Sequence, residues 1–182
     1  SLAITDMFAS HISDPAPGFC LTGYIDRPSG YISDDHSHTF WQIIIVLGGT
    51  FVVESGGASY DLSAGWVHIL PPGENHILKS GPEGYSQVGI DVDPDSPEGA
   101  ALAGYFGSPA VFRSSDAERI ASVIKDNVKS RVKASDALVA GCVKSAVWAF
   151  IAEKQRASID PVAKKLSEWI DLHLSEHVTL EM

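Results

Sequence analysis

Hydrophobic and polar positions along this chain follow two rhythms, and the change falls near residue 110. Upstream the apolar residues come in short runs separated by Gly, Pro and Ser. "FCLTGYI", from Phe19 to Ile25, predicts a strand, and "FWQIIIVL", from Phe40 to Leu47, predicts one buried on both faces. "TFVVE" and "SYDL" flank Ser55-Gly56-Gly57, a hairpin signal in which glycines supply positive φ. "WVHIL" runs into the turn Pro71-Pro72-Gly73, and "HILKS" and "YSQVGIDV" predict two more strands. In the last of these Val88, Ile90 and Val92 share one face, while Gln87 and Asp91 share the other. Short strands with regular turn signals predict a sandwich or barrel. A Pro/Gly/Ser-rich connection follows, from Asp93 to Ala110.

Downstream the period becomes helical. "SSDAERIASVIKDNVKSRV" opens with Ser115 and Glu118 at capping-box spacing, and Ile120, Val123, Ile124, Asn127 and Val128 form one mostly apolar face. A second helix, "SDALVAGCVKSAVWAFIAEKQRA", is capped by Ser135 or Asp136. It is apolar over more than half its circumference, at Leu138, Val139, Cys142, Val143, Ala146, Val147, Phe150 and Ile151. A surface helix needs only one stripe, so this one is expected to have two partners. One is the barrel; the other is a helix or a second subunit, with Leu138, Val139, Cys142, Val143 and Val147 as the dimer helix. A third helix, "DPVAKKLSEWIDLHLSEH", starts with Asp160 as its cap and Pro161 at its first position. Thr179 then looks like the cap of a fourth, after which the sequence ends.

Composition narrows the picture. The chain has 182 residues, enough for one substantial core, and its 45% hydrophobic and 20% charged content is that of an ordinary globular protein. A formal net charge of −10 repels phosphate backbones, so the chain alone is not expected to grip nucleic acid or an anionic membrane. Cys20 and Cys142 have no metal-like spacing and read as two buried small hydrophobes. No basic region precedes an apolar run at the N-terminus. The stretch "ALVAGCVKSAVWAFIA" is interrupted by Lys144 and falls short of the ~20 apolar residues that span a bilayer. A cytoplasmic location and no membrane partner are expected.

The candidate chemistry lies in "HSHTFWQIII". Strand parity puts His36, His38, Phe40, Gln42, Ile44 and Val46 on one face, and Trp41, Ile43, Ile45 and Leu47 on the other, apolar face. In "GWVHILPPGENH" a strand enters the Pro-Pro-Gly turn, and His76 starts the next strand. If the strands are neighbours, His76 approaches His36 and His38, and with the Gln42 amide they form a divalent-metal set with open positions. The same residues serve equally as the wall of a ligand pocket or as packed polar groups. Glutamine brings no charge, which weakens a dication site. His68 reads as a surface or packed imidazole, and the role of Trp66 stays open. His173 and His177 stand four apart near a helix C-terminus, where the dipole favours cationic His. No nucleophile-elbow serine or activated cysteine is evident.

These segments bring a family into view. His36-x-His38, then Gln42 and Gly49, resembles the first cupin motif. Gly65, five residues, Pro71, one residue, Gly73, two residues and His76 resembles the second, with Ser80 where Asn is usual. The resemblance implies metal-ligand roles for His36, His38 and His76, and for Gln42 in place of the usual Glu; the ion would be Zn, Ni, Fe or Mn. A cupin-like barrel followed by two helices and "KKLSEWIDLHLSEHVTLEM" is similar to the effector half of an AraC-type transcription regulator. That likeness covers nearly the whole chain and lies more in the order of parts than in either motif.

It implies a mostly β fold with α: a cupin-like β-barrel (double-stranded β-helix or jelly roll) over 1–110 and a two-helix dimerisation segment over 111–158. Residues 159–182 would be a linker and the first helix of a truncated helix-turn-helix DNA reader. The expected function is ligand sensing and dimerisation, without catalysis and without a required cofactor. A small-molecule effector would contact His36, His38, Phe40, Gln42 and His76, and DNA would be reached only through the missing C-terminal part. The alternatives are a small metal-dependent cupin enzyme, a dioxygenase or isomerase, and a stand-alone carbohydrate-binding module. Sugars, aromatic acids and small amines all remain open as effectors.

Overall fold

The computed structural model describes residues 10–130 and 132–177, and the side chains of all of these except 158–164 and 167–177. Seven antiparallel strands form one sheet: β1 (Ser10–Ser13), β2 (Phe19–Arg27), β3 (Trp41–Ser55), β4 (Ala58–Ser63), β5 (Trp66–Leu70), β6 (His76–Val92) and β7 (Ala110–Arg113). Their order is β1-β2-β6-β3-β5-β7, with β4 also paired to β3. The expected runs 40–47 and 50–54 are halves of one strand, β3, and the runs 76–80 and 85–92 are halves of β6. Both strands bend where they pass each other. Register shifts lie between Val46 and Gly48 and between Gly49 and Phe51. Gly49 sits there at φ 67°, and a Cβ on it would collide with the Gly84 carbonyl. Only glycine fits both constraints.

The bend lets one sheet curl into a barrel. Ile44 and Val46 from the first half of β3 join Phe51 and Val53 from the second, with Leu62, Leu70, Leu78 and Tyr85, in one interior cluster. The β3–β4 hairpin turns at Gly56 and Gly57, both with positive φ, as the sequence predicts. Strands β1 and β7 are only four residues long and carry no alternation that would mark them.

The other face of the same strands packs under helices. Tyr24, Trp41, Ile43, Ile45, Val88 and Ile90 meet Ile124, Val139, Val143, Val147 and Phe150 in the larger core. Full burial of such side chains contributes ~1.5–3 kcal/mol each, so this layer is a large part of what holds helices to barrel. Helix α1 (Pro97–Tyr105) lies inside the stretch expected to be a plain connection. Its Ser96 cap accepts the Gly99 N–H at 3.0 Å, Pro97 starts the first turn, and buried Leu102 and Phe106 anchor it. Helix α2 (Ala117–Val128) begins at Asp116 with no side-chain cap bond, so the Ser115–Glu118 box is not formed.

Helix α3 (Lys133–His177) begins ahead of Ser135 and runs unbroken through Asp160 and Pro161, where a new helix was expected after a linker. Proline removes one intrahelical bond and crowds the preceding turn. The strong helix formers Ala152–Ala157 before it and Ala163–Leu166 after it carry the helix across. Its stretch Lys133–Ala157 is long and apolar enough to cross a membrane, against the sequence expectation. Here its apolar side packs inside the chain, as Val139, Val143, Ala146 and Val147 are all fully buried. The helix start expected at Thr179 lies outside the described residues.

Candidate functional site

Residues 35–40 are not strand; β3 starts at Trp41. What positions the histidines is a clamp between two segments. His36 and His76 exchange both backbone hydrogen bonds, at 3.2 and 2.9 Å, and the Gly73 N–H of the Pro-Pro-Gly turn donates to the His38 carbonyl at 2.7 Å. The imidazoles converge, with ring centroids 4.2 Å (His36–His76), 4.9 Å (His36–His38) and 5.3 Å (His38–His76) apart. One ring nitrogen from each lies within 4.8 Å of the others.

The tautomers follow from the backbone. His36 Nδ1 donates to the Asp34 carbonyl at 2.7 Å, and His76 Nδ1 to the Glu74 carbonyl at 3.2 Å. A carbonyl only accepts, so Nδ1 holds the proton and Nε2 presents a lone pair. The Nε2 atoms of His38 and His76 are buried without a partner. Burial, then the neighbouring imidazoles, lowers His38 and His76 to about 4, so both are neutral at neutral pH. Phe40, buried, stacks on His38 at 4.7 Å and holds its plane. This donor set fits a divalent transition metal at His36, His38 and His76, which would supply Lewis acidity there.

The interior carries more polar groups than these. Paired residues share a face, so Gln42 opposite Asp91, Ile44 opposite His68 and Val46 opposite Gln87 all point inward. Gln42, His68, Gln87 and Asp91 are at most 5% exposed. His68 Nε2 meets Ser55 Oγ at 3.3 Å, its Nδ1 is unpartnered, and burial lowers it to about 3. Gln42 Oε1, Gln87 Oε1 and both Asp91 carboxyl oxygens also lack partners. Burial pushes Asp91 up to about 8, with the opposing Gln42 amide pulling the other way. The carboxyl therefore keeps its proton at neutral pH until a cation comes within reach.

His68, Gln87 and Asp91 are the residues that sequence reasoning did not bring to the site. Their alternation was visible, but a polar strand face ordinarily meets water. Both edges of β6 are paired and both its faces buried, which only the topology shows. Trp66 packs at the edge of the interior cluster, with the Arg113 guanidinium 6.0 Å from its ring. Cys20 is exposed, not buried: it falls on the turn-bordered start of β2, beyond the reach of both cores. Of the expected dimer helix, Val139, Val143 and Val147 are spent on the chain's own core, Cys142 is half-buried, and Leu138 alone is exposed, with Trp148 on the same helix.

A curled antiparallel barrel with a polar, ligand-ready interior and helices on its outer face defines the class. Residues 19–127 match the family described as the AraC-like ligand binding domain, and the chain belongs to that family. No curated protein matches it. Solved structures similar to parts of it include a cupin 2 conserved barrel protein from Salinispora arenicola, 27% identical over 42% of this chain and 64% of that one, TM-score 0.39. The Cnp3 cupin domain of Schizosaccharomyces pombe is 17% identical over 46% of this chain and 62% of that one, TM-score 0.43. A predicted oxalate decarboxylase from Thermotoga maritima is 17% identical over 50% of this chain and 97% of that one, TM-score 0.40. The chain spans less than two thirds of the first two of these.

Proposed function

We propose that this chain is the effector-sensing and self-associating part of an AraC-type transcription regulator, acting in the cytoplasm and reaching DNA through a C-terminal reader outside this sequence. One observation carries the reading: a ligand-binding-family barrel lined with buried polar atoms that have no partner in the protein. Such atoms are costly, ~1–3 kcal/mol each, unless a ligand or water meets them.

The coupling route is short. β3 and β6 show Gln42, Gln87 and Asp91 to the interior, and their sequence neighbours Ile43, Val88 and Ile90 to the helices. α2 lies on these strands, and α3 packs on α2. A ligand that repositions the inner face therefore shifts the seat of α2, and α3 carries that shift toward residue 177 as one continuous helix. Binding one arrangement ten times better than the other, about 1.4 kcal/mol, changes the balance of states tenfold. A thermal-shift screen of small metabolites tests the sensing role. A hit raises the melting temperature of the wild type and loses its effect in His38→Ala; a library with no hit contradicts the reading.

Self-association moves to the exposed side of α3, where Leu138, Gly141, Ser145 and Trp148 recur at helical spacing and are exposed. In analytical ultracentrifugation the wild type should sediment as a dimer and Trp148→Glu as a folded monomer. A wild type that is already monomeric removes this part of the reading.

The second reading is a metal-dependent cupin enzyme, favoured by the three converging imidazoles and their backbone-fixed tautomers. Elemental analysis of untagged protein should return a stoichiometric transition metal if it holds, and none if the imidazoles line a pocket only.

A further inference from the structure

The sheet leaves β7 open on one side. The strand ends the pairing order, and among the described residues it pairs only with β5, from Trp66↔Arg113 to Ile69↔Ala110. In an antiparallel strand alternate residues turn their N–H and C=O groups to opposite sides, so part of the β7 main chain faces away from β5. A groove of about 580 Å³ lies between Ala110–Arg113 and the α3 residues Glu153, Lys154, Arg156 and Ala157. Val111 packs toward the barrel interior, and Ala110 and Phe112 toward the helices. Both sets line the groove, so it follows the edge of the strand and lies over neither face.

The charge of this groove runs against that of the molecule. Arg113, Lys154 and Arg156 are exposed and, among the described residues, stand in no ion pair, in a chain of net charge −10. Arg113 and Lys154 lie 6.0 and 5.9 Å from the Trp66 and Phe106 rings, contacts that leave their charges uncompensated. Glu153 adds a carboxyl oxygen that is buried without a donor. Strand β4 is also paired on one side only, but the pocket beside it is walled by Asp35, Glu54 and Glu74.

We propose that β7 takes up an extended acidic segment of another protein as an added strand. Main-chain hydrogen bonds to the open edge hold it, and Arg113, Lys154 and Arg156 meet its carboxylates. Four residues of strand span roughly 13 Å, so the ladder is short and the charges carry much of the selectivity. A second copy of this chain would bring the same three cations against themselves. A phosphate backbone would match the cations but offers no N–H to the Glu153 oxygen or to the outward carbonyls of β7. The surface is separate from the barrel interior, so its role stands or falls independently of effector sensing.

Labelled, capped hexapeptides titrated by fluorescence polarisation into the whole chain at physiological salt test it. One alternates glutamate with valine; its neutral match alternates glutamine with valine. The acidic peptide should bind at least tenfold more tightly than the neutral one, against the repulsion of an acidic chain. N-methylation of alternate amides should abolish binding for one of the two possible sets and spare the other, because only one side of an added strand meets β7. Arg113→Glu combined with Arg156→Glu should weaken the acidic peptide at least tenfold and melt as the wild type does, since both side chains are exposed. In amide NMR the peptide should shift residues 110–113. Equal binding of the neutral peptide, no effect of either methylated set, undiminished binding by the double variant, or no binding at all overturns the proposal. A double variant that dissociates a wild-type dimer in ultracentrifugation makes the edge a seam between copies. A duplex oligonucleotide that binds through the same arginines where the peptide does not makes it a phosphate surface. Either result also overturns the acidic strand.

Discussion

At Asp91 a carboxyl is fully buried with both oxygens unpartnered, and its proton is held to about 8. The unfolded chain gives up that proton near 4, so between these values the folded state binds more protons and stability falls as pH rises. Asp91→Asn should therefore stabilise the empty protein at pH 8 by on the order of a few kcal/mol and leave it nearly unchanged at pH 4. Urea unfolding at the two pH values measures this, and equal effects at both would show that the carboxyl is solvated. Gly49 makes a steric prediction. Gly49→Ala forces a Cβ onto the Gly84 carbonyl at positive φ, and should cost about 1–3 kcal/mol in the same assay. The convergence of His36, His38 and His76 was legible from strand parity and motif spacing, although the strand carrying the parity argument begins only after His38. His68 and Asp91 were not legible as site residues, because alternation names a face without saying whether that face looks at water or into a barrel.

Among the elements, the halves of β3 and β6 read correctly as strand and incorrectly as separate strands, since glycine marks a bend and a turn in the same way. Helix α1 was hidden by its Pro, Gly and Ser content, though these are also a helix start: Ser96 caps and Pro97 opens it. Asp160-Pro161 carries the same signal in the middle of α3, and there the helix continues. The over-wide apolar face of α3 was visible, but which part serves the fold and which is left over depends on where α2 lies. That division makes a prediction. Val143→Asp and Phe150→Ala strike the core between helices and barrel, so each should destabilise the chain, Phe150→Ala by ~3–5 kcal/mol. Thermal melting should show both losses, whereas Trp148→Glu should melt as the monomer does. A Val143→Asp chain that stays folded and only dissociates would place the dimer seam where the sequence first suggested it.

For the whole molecule, four buried groups set the pH response. His38, His68 and His76 have folded pKa values well below the unfolded value near 6.5, so stability is full above that value and falls as pH drops toward 4. Asp91 acts in the opposite sense over the whole range from about 4 to about 8. The melting temperature of the empty protein should pass through a maximum near pH 6.5, and Asp91→Asn should flatten the alkaline side and steepen the acid side. The central claim is that ligand enters the barrel and is felt on its helical face. Backbone amide NMR, with a hit from the metabolite screen added, tests it most directly. The account predicts shifts along β3, β5 and β6, including His68 and Asp91, which extend to α2. Shifts confined to the exposed face of α3 or to the groove around Asp14 and Cys20 would contradict it.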